Sequence, residues 1–166
     1  MMFARRLLGG AVFALLPLAA AQAVYPDRSV SIIVPFAAGG PTDAVARLIG
    51  EAMGRDLGQS VVIENLGGAG GTLGAAKVAN AKPDGHMVLL HHIGQATSAT
   101  LYRKLPYDTI TGFETVGLIT EVPMTLISSP QFAATNLAEA VKLIREKKDV
   151  LNLGNAGIGA ASHLCG

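Results

Sequence analysis

SIIVPFAAGGPTD, residues 31–43, passes from branched apolar residues through a glycine pair to Pro41, Thr42 and Asp43. The Val- and Ile-rich run predicts a buried strand over residues 30–36. Gly39 and Gly40 let the backbone turn with positive φ and approach a ligand closely, and the Pro-Thr-Asp that follows suits the first turn of a helix. A strand–turn–helix of this kind leaves N–H groups unpaired at the positive end of the helix dipole, where a carboxylate or phosphate can sit. Helix capping without any ligand accounts for the same residues.

Outward from this stretch, Val45, Leu48, Ile49, Ala52, Met53 and Leu57 fall on one face of a helix that ends before Gly58. Val61–Ile63 predicts a second strand, and Gly67–Gly71 a flexible turn into a helix ending near Ala81. Lys82-Pro83-Asp84-Gly85 is a turn, and Met87–Ile93 a third strand. Alternating strands and helices predict an α/β fold whose parallel sheet is covered by helices. Further strands are expected at Phe113–Thr120 and Val122–Ser128, then a helix opened by Asn136 and Glu139, close to a capping box. Val150–Leu153 is expected to form a strand leading into a second anion-friendly loop, Gly154–Gly159.

Arg5 and Arg6, the apolar Leu7–Leu18 and the Ala21-Gln22-Ala23 site mark residues 1–23 as a secretory signal peptide. Its removal takes two arginines from 13 basic residues, leaving 11 against 12 acidic ones, a net charge of −1. No basic face for nucleic acid follows from that balance. Cys165 is the only cysteine, so no intramolecular disulfide can form and stability must come from packing.

Gly157-x-Gly159 after a strand also invites a dinucleotide-binding enzyme reading, but the third glycine position holds Ser162. Neither G-x-S-x-G nor H-E-x-x-H occurs, so no catalytic set is expected. His91 and His92, adjacent on a predicted strand, should point to opposite faces, which disfavours a shared metal. Neither metal nor cofactor is expected.

Tyr25-Pro26, VPFAAGGPTD, VVIENLGGAGG, KPDG, LYRKLPYD and GNAGIGAASHL, in that order, resemble the substrate-binding receptors of tripartite tricarboxylate transporters, the Bug-type extracytoplasmic solute receptors. The resemblance implies a type II periplasmic-binding-protein-like fold of two lobes with a cleft between them. On that plan residues 24–112 are the N-terminal part of lobe 1, and residues 113–166 the crossover and an incomplete start of lobe 2. It further implies a periplasmic, monomeric receptor that closes on a small organic acid or acidic amino acid and docks on membrane permease subunits. The site residues it implies are Phe36, Ala38, Gly39, Gly40, Thr42 and Asp43 in the first loop, with Gly157, Gly159, Ser162 and His163 in the second. Asp43 would either orient the loop or meet a solute ammonium, and His163 would contact the solute or cap its own loop. Leu66-Gly67 departs from the family's Arg-Pro and Gly112-Phe113 from its Asp-Phe. A truncated fragment that binds nothing is the alternative.

Overall fold

The computed structural model describes residues 24–148, 150–155 and 160–165. The expected signal peptide and the loop residues Gly157 and Gly159 lie outside the described residues. The elements run β1 (Val30–Val34), α1 (Pro41–Leu57), β2 (Val61–Asn65), a 3-10 turn (Ala69–Gly71), α2 (Thr72–Ala79), β3 (Met87–Leu89), α3 (Gly94–Leu101), α4 (Leu137–Glu146) and α5 (Ala161–Cys165). The sheet has the order β2-β1-β3 with both pairs parallel, as the alternating pattern requires. Val30 pairs with Val61 and Val34 with Asn65 on one side, and Ser31 pairs with Met87 on the other.

Central β1 is buried on both faces, which is why it reads as an unbroken apolar run. Ile32 and Val34 pack on Ala46 of α1, with Met53, Ile63, Val88 and Leu90 around them. Pro35, on the face that Ile33 shares, lies against Gly74 of α2. Val30, Ile33 and Val34 are fully buried, each contributing about 1.5–3 kcal/mol against exposure.

Helix α1 begins and ends where its sequence says, with Pro at its start and Gly58 at φ +66° after Leu57. Its buried face differs from the expected one. Asp43, Ala46 and Gly50 are buried, whereas Leu48 is 71% exposed and Ala52 is exposed. Small residues at 46 and 50 let the helix backbone lie close to β2, and that approach outweighs the stripe of larger side chains.

Four strand expectations fail in whole or in part. The third strand stops at Leu89 rather than Ile93: the Leu90 N–H still reaches Ile33 O at 3.0 Å, but the next residues turn into α3, a helix the sequence did not announce. Within α3, Thr97 and Ser98 spend their hydroxyls on Ile93 and Gln95 carbonyls. Residues 113–128 and 150–153 are not in strands. Val116, Leu118, Val122, Met124 and Leu126 alternate as a strand would, yet all are exposed, and no strand among the described residues pairs with them. Alternation states a preference, but a ladder needs a partner.

The Asn136 side chain caps α4 by accepting the Glu139 N–H at 3.0 Å. Glu139 reaches back to the Thr135 N–H and hydroxyl, at 2.9 and 3.0 Å, rather than to Asn136 itself. Replacing Asn136 with alanine should therefore cost about 1 kcal/mol, seen as faster hydrogen exchange in the first turn of α4 with β1 unaffected.

Candidate functional site

Parallel pairing sends the carboxyl ends of β1, β2 and β3 to one edge of the sheet, where ligands of open α/β sheets bind. Residues 35–40 leave β1 there. Ala37 O accepts the Gly40 N–H at 3.4 Å, and Gly39 at φ +81° takes the third position of that turn. Gly40 is the extended N-cap of α1, and its carbonyl accepts the Ala44 N–H at 3.0 Å. The N–H groups of Thr42 and Asp43 belong to the first helical turn and so have no carbonyl partner inside the helix. Ala38 and Gly39 are exposed, while Phe36, Gly40 and Thr42 are half-buried.

Beneath this rim Asp43 is only 2% exposed. One of its oxygens accepts the Gly39 N–H at 2.8 Å and Arg47 Nε at 2.9 Å, and the other accepts Asn65 Nδ2 at 2.9 Å. The Arg47 hydrogen bond, then those of Gly39 and Asn65, hold the carboxyl at about 2, below the ordinary 3.8, against the opposing effect of burial. The carboxylate thus ties the loop at Gly39 to the first turn of α1 and to the end of β2. The Gly39 N–H is thereby spent inside the protein. Asn65 also donates to Phe36 O at 3.2 Å, so the end of β2 clasps both the start of the loop and the first turn of α1.

A second wall stands beside Phe36. His91 and His92 follow β3 instead of extending it, so strand alternation does not separate them: their rings meet edge to face at 5.1 Å. Both touch Phe36, His91 edge-on at 5.3 Å and His92 stacked at 4.3 Å. Burial, with a smaller effect from His92, pushes His91 down to about 4, and burial lowers His92 as well. Both imidazoles are therefore uncharged at neutral pH. The available signal was a pair of histidines immediately before Ile93-Gly94, at the end of a strand expected to reach the ligand edge.

Gly157 and Gly159 lie outside the described residues, while Ser162 and His163 stand half-buried on α5 and each has interaction partners of its own. Helices α1 and α2 pack on the sheet, and α3 packs on α2 and the 3-10 turn; α5 is not among the elements laid extensively on the sheet. An open groove of about 800 Å³ runs from Arg47 along α1 to Gly58–Val61, toward the amino end of β2 and away from the carboxyl edge. Among the described residues no group of three or more His, Cys, Asp or Glu could hold a metal ion, and no helix is long and apolar enough to cross a membrane.

The family model described as "Tripartite tricarboxylate transporter family receptor" matches residues 45–166. A UPF0065 protein of Agrobacterium vitis is 51% identical over 148 residues, covering 89% of this chain and 43% of that protein. BugT of Bordetella pertussis is 30% identical, over 84% of this chain and 44% of its own length. Among solved structures, the periplasmic binding protein BugD is 51% identical with a TM-score of 0.81, covering 85% of this chain and 47% of its own. MatC from Rhodopseudomonas palustris, solved with bound malate, is 44% identical with a TM-score of 0.78, over 82% of this chain and 47% of its own. An R. palustris protein solved with adipate is 34% identical, with a TM-score of 0.77, over 82% of this chain and 46% of its own. The chain thus spans somewhat under half the length of these relatives.

Proposed function

We propose, given that this chain belongs to the tripartite tricarboxylate transporter receptor family, that it supplies the first half of an extracytoplasmic site for a small carboxylate-bearing solute. The observation that carries the reading is the turn at Gly39–Gly40, presented at the carboxyl edge of a periplasmic-binding-protein sheet and held from below by buried Asp43. One carboxylate of the solute accepts N–H groups at the start of α1, with the Thr42 hydroxyl beside them, and the helix dipole replaces part of its water shell. Because Asp43 consumes the Gly39 N–H and Ala37 O that of Gly40, the solute relies on the Thr42 and Asp43 N–H groups and on Ala38 rather than on Gly39 or Gly40. Two similar proteins are solved with malate and with adipate, both dicarboxylates, which supports an organic acid over a phosphate. Residues 157–163 close over the solute from a second lobe, and the closed receptor docks on membrane permease subunits in the periplasm. No bond is made or broken, and a family of receptors leaves the dinucleotide-enzyme reading without support.

Titration calorimetry with malate, succinate, adipate, aspartate and NAD tests this. Binding of at least one organic acid, weakened in Thr42→Ala and absent for NAD, is the expected result; NAD binding without acid binding would overturn it. A second reading, that this length alone grips solute poorly, is favoured by the share of the relatives that it spans. The intact mass of the native protein separates the two. A mass near that of Val24–Gly166, with no acid bound, supports the second; a much larger mass places the site within a longer receptor.

A further inference from the structure

His92 brings to the carboxyl edge a hydrogen-bonding atom that the fold leaves unused. Its Nδ1 accepts the Gly94 N–H at 3.0 Å, at the very start of α3. A neutral imidazole has one donor nitrogen and one acceptor. With Nδ1 engaged as the acceptor, the proton sits on Nε2, and charging the ring would set an Nδ1 proton against the Gly94 N–H. Nε2–H finds no acceptor among the described residues and is not sealed in the interior. His91 differs on both counts. Its Nδ1 lies between the His92 N–H at 2.8 Å and the His92 carbonyl at 3.1 Å, which admits either tautomer, and its Nε2 packs over Gly71.

Phe36 ties His92 to the turn: its backbone opens residues 36–40, while its ring stacks on the His92 imidazole. A small solute held by the N–H groups at the start of α1 would then share the carboxyl edge of the sheet with this neutral donor, which Phe36 links to the turn. We propose that His92 is a specificity-determining residue whose Nε2–H donates to a second oxygen-bearing group of the bound acid, so that dicarboxylates are selected over monocarboxylates of the same length. This rests on the receptor reading above. A neutral donor suits the task, because it rewards an acceptor at that point without attracting every anion in the compartment, and a site built to hydrogen-bond one group rejects analogues that lack it.

Two-bond proton–nitrogen NMR spectra of the histidine rings in the full-length protein test the tautomer first. A pyrrole-type Nε2 and a pyridine-type Nδ1 on His92 are expected, and the reverse overturns the proposal. Addition of succinate, malate or adipate should then shift both the Gly40–Asp43 amides and the His92 Nε2–H. Shifts confined to the amides overturn the role of His92 and leave the receptor reading standing, whereas no shift at either place with any of the three acids overturns both. In calorimetry, His92→Leu should weaken the dicarboxylate that binds by about tenfold or more and leave butyrate unchanged, while His92→Gln, whose amide restores a donor, stays within about threefold of wild type. Equal losses for butyrate and the dicarboxylate in His92→Leu would make His92 a packing residue and overturn the proposal.

Discussion

Asp43→Asn is expected to lower the thermal midpoint at neutral pH and to weaken acid binding about tenfold or more, although it removes no atom of the proposed solute cradle. The carboxylate is a pure acceptor among three donors: the Gly39 N–H, Arg47 Nε and Asn65 Nδ2. An amide has one oxygen and one NH₂, so whichever way it is turned a donor faces a donor. The least damaging arrangement puts the new NH₂ toward Asn65, which must then flip its own amide and give up its bond to Phe36 O. Loss of the clasp thus travels from the first turn of α1 to the loop itself. The pH dependence follows from the depressed carboxyl, at about 2 in the fold against 3.8 ordinarily. A lowered folded value means that the stabilisation is fully present above about pH 4 and fades as pH falls through about 2. Wild type and variant should therefore differ most at pH 7 and converge toward pH 2. Denaturant unfolding at a series of pH values checks this, and a difference that stayed constant down to pH 2 would show that the ionised carboxylate is not what the clasp needs.

What the sequence made legible was local. The start of α1, its end at Gly58 and the turn at Gly39 follow from chemistry within a few residues, and the parallel order of β1, β2 and β3 follows from spacing that leaves room for crossovers. The buried face of α1 was not legible, because it depends on how near the helix sits to β2: Ala46 and Gly50 go inside for being small, and Leu48 is left outside. Placing the histidines on a strand failed for a related reason. Whether β3 continues past Leu89 depends on competition between ladder pairing and the His91 and His92 rings, each of which captures a nearby backbone N–H. Residues 113–128 carry the alternation of a strand, but pairing is a property of two segments, and the partner cannot be read from one of them. The inward turn of Asp43 was half-legible: its place in the first turn suggested a carboxylate serving the loop, and only the fold supplies Asn65 from β2 to complete the set.

Gly71→Ala should be among the most damaging single changes on the carboxyl edge, for two separable reasons. Gly71 is buried, with φ +97°, where an L side chain costs about 1–2 kcal/mol. A Cβ built there would lie 2.7 Å from His91 Nε2 and 3.3 Å from Phe36 Cζ, so the aromatic wall must also move. His91 has little freedom to yield, because its Nδ1 is held by the His92 N–H and its ring stands edge-on to Phe36. Overpacking of this kind adds about 1–3 kcal/mol. A combined loss of about 2–5 kcal/mol is therefore expected in denaturant unfolding, a substantial share of the stability of a small domain. His91→Ala distinguishes the two causes: in the Gly71→Ala/His91→Ala pair the clash with His91 vanishes while the backbone part and the tighter contact with Phe36 remain, so the double variant should be more stable than the sum of the single losses allows. Strict additivity would leave backbone conformation as the whole cost and would mean that His91 gives way freely. The coupling carries a functional consequence as well. Phe36 stacks on His92, so displacing it in Gly71→Ala should reduce acid binding at temperatures where the variant is still folded, and the added His91→Ala should restore part of that affinity by letting Phe36 return.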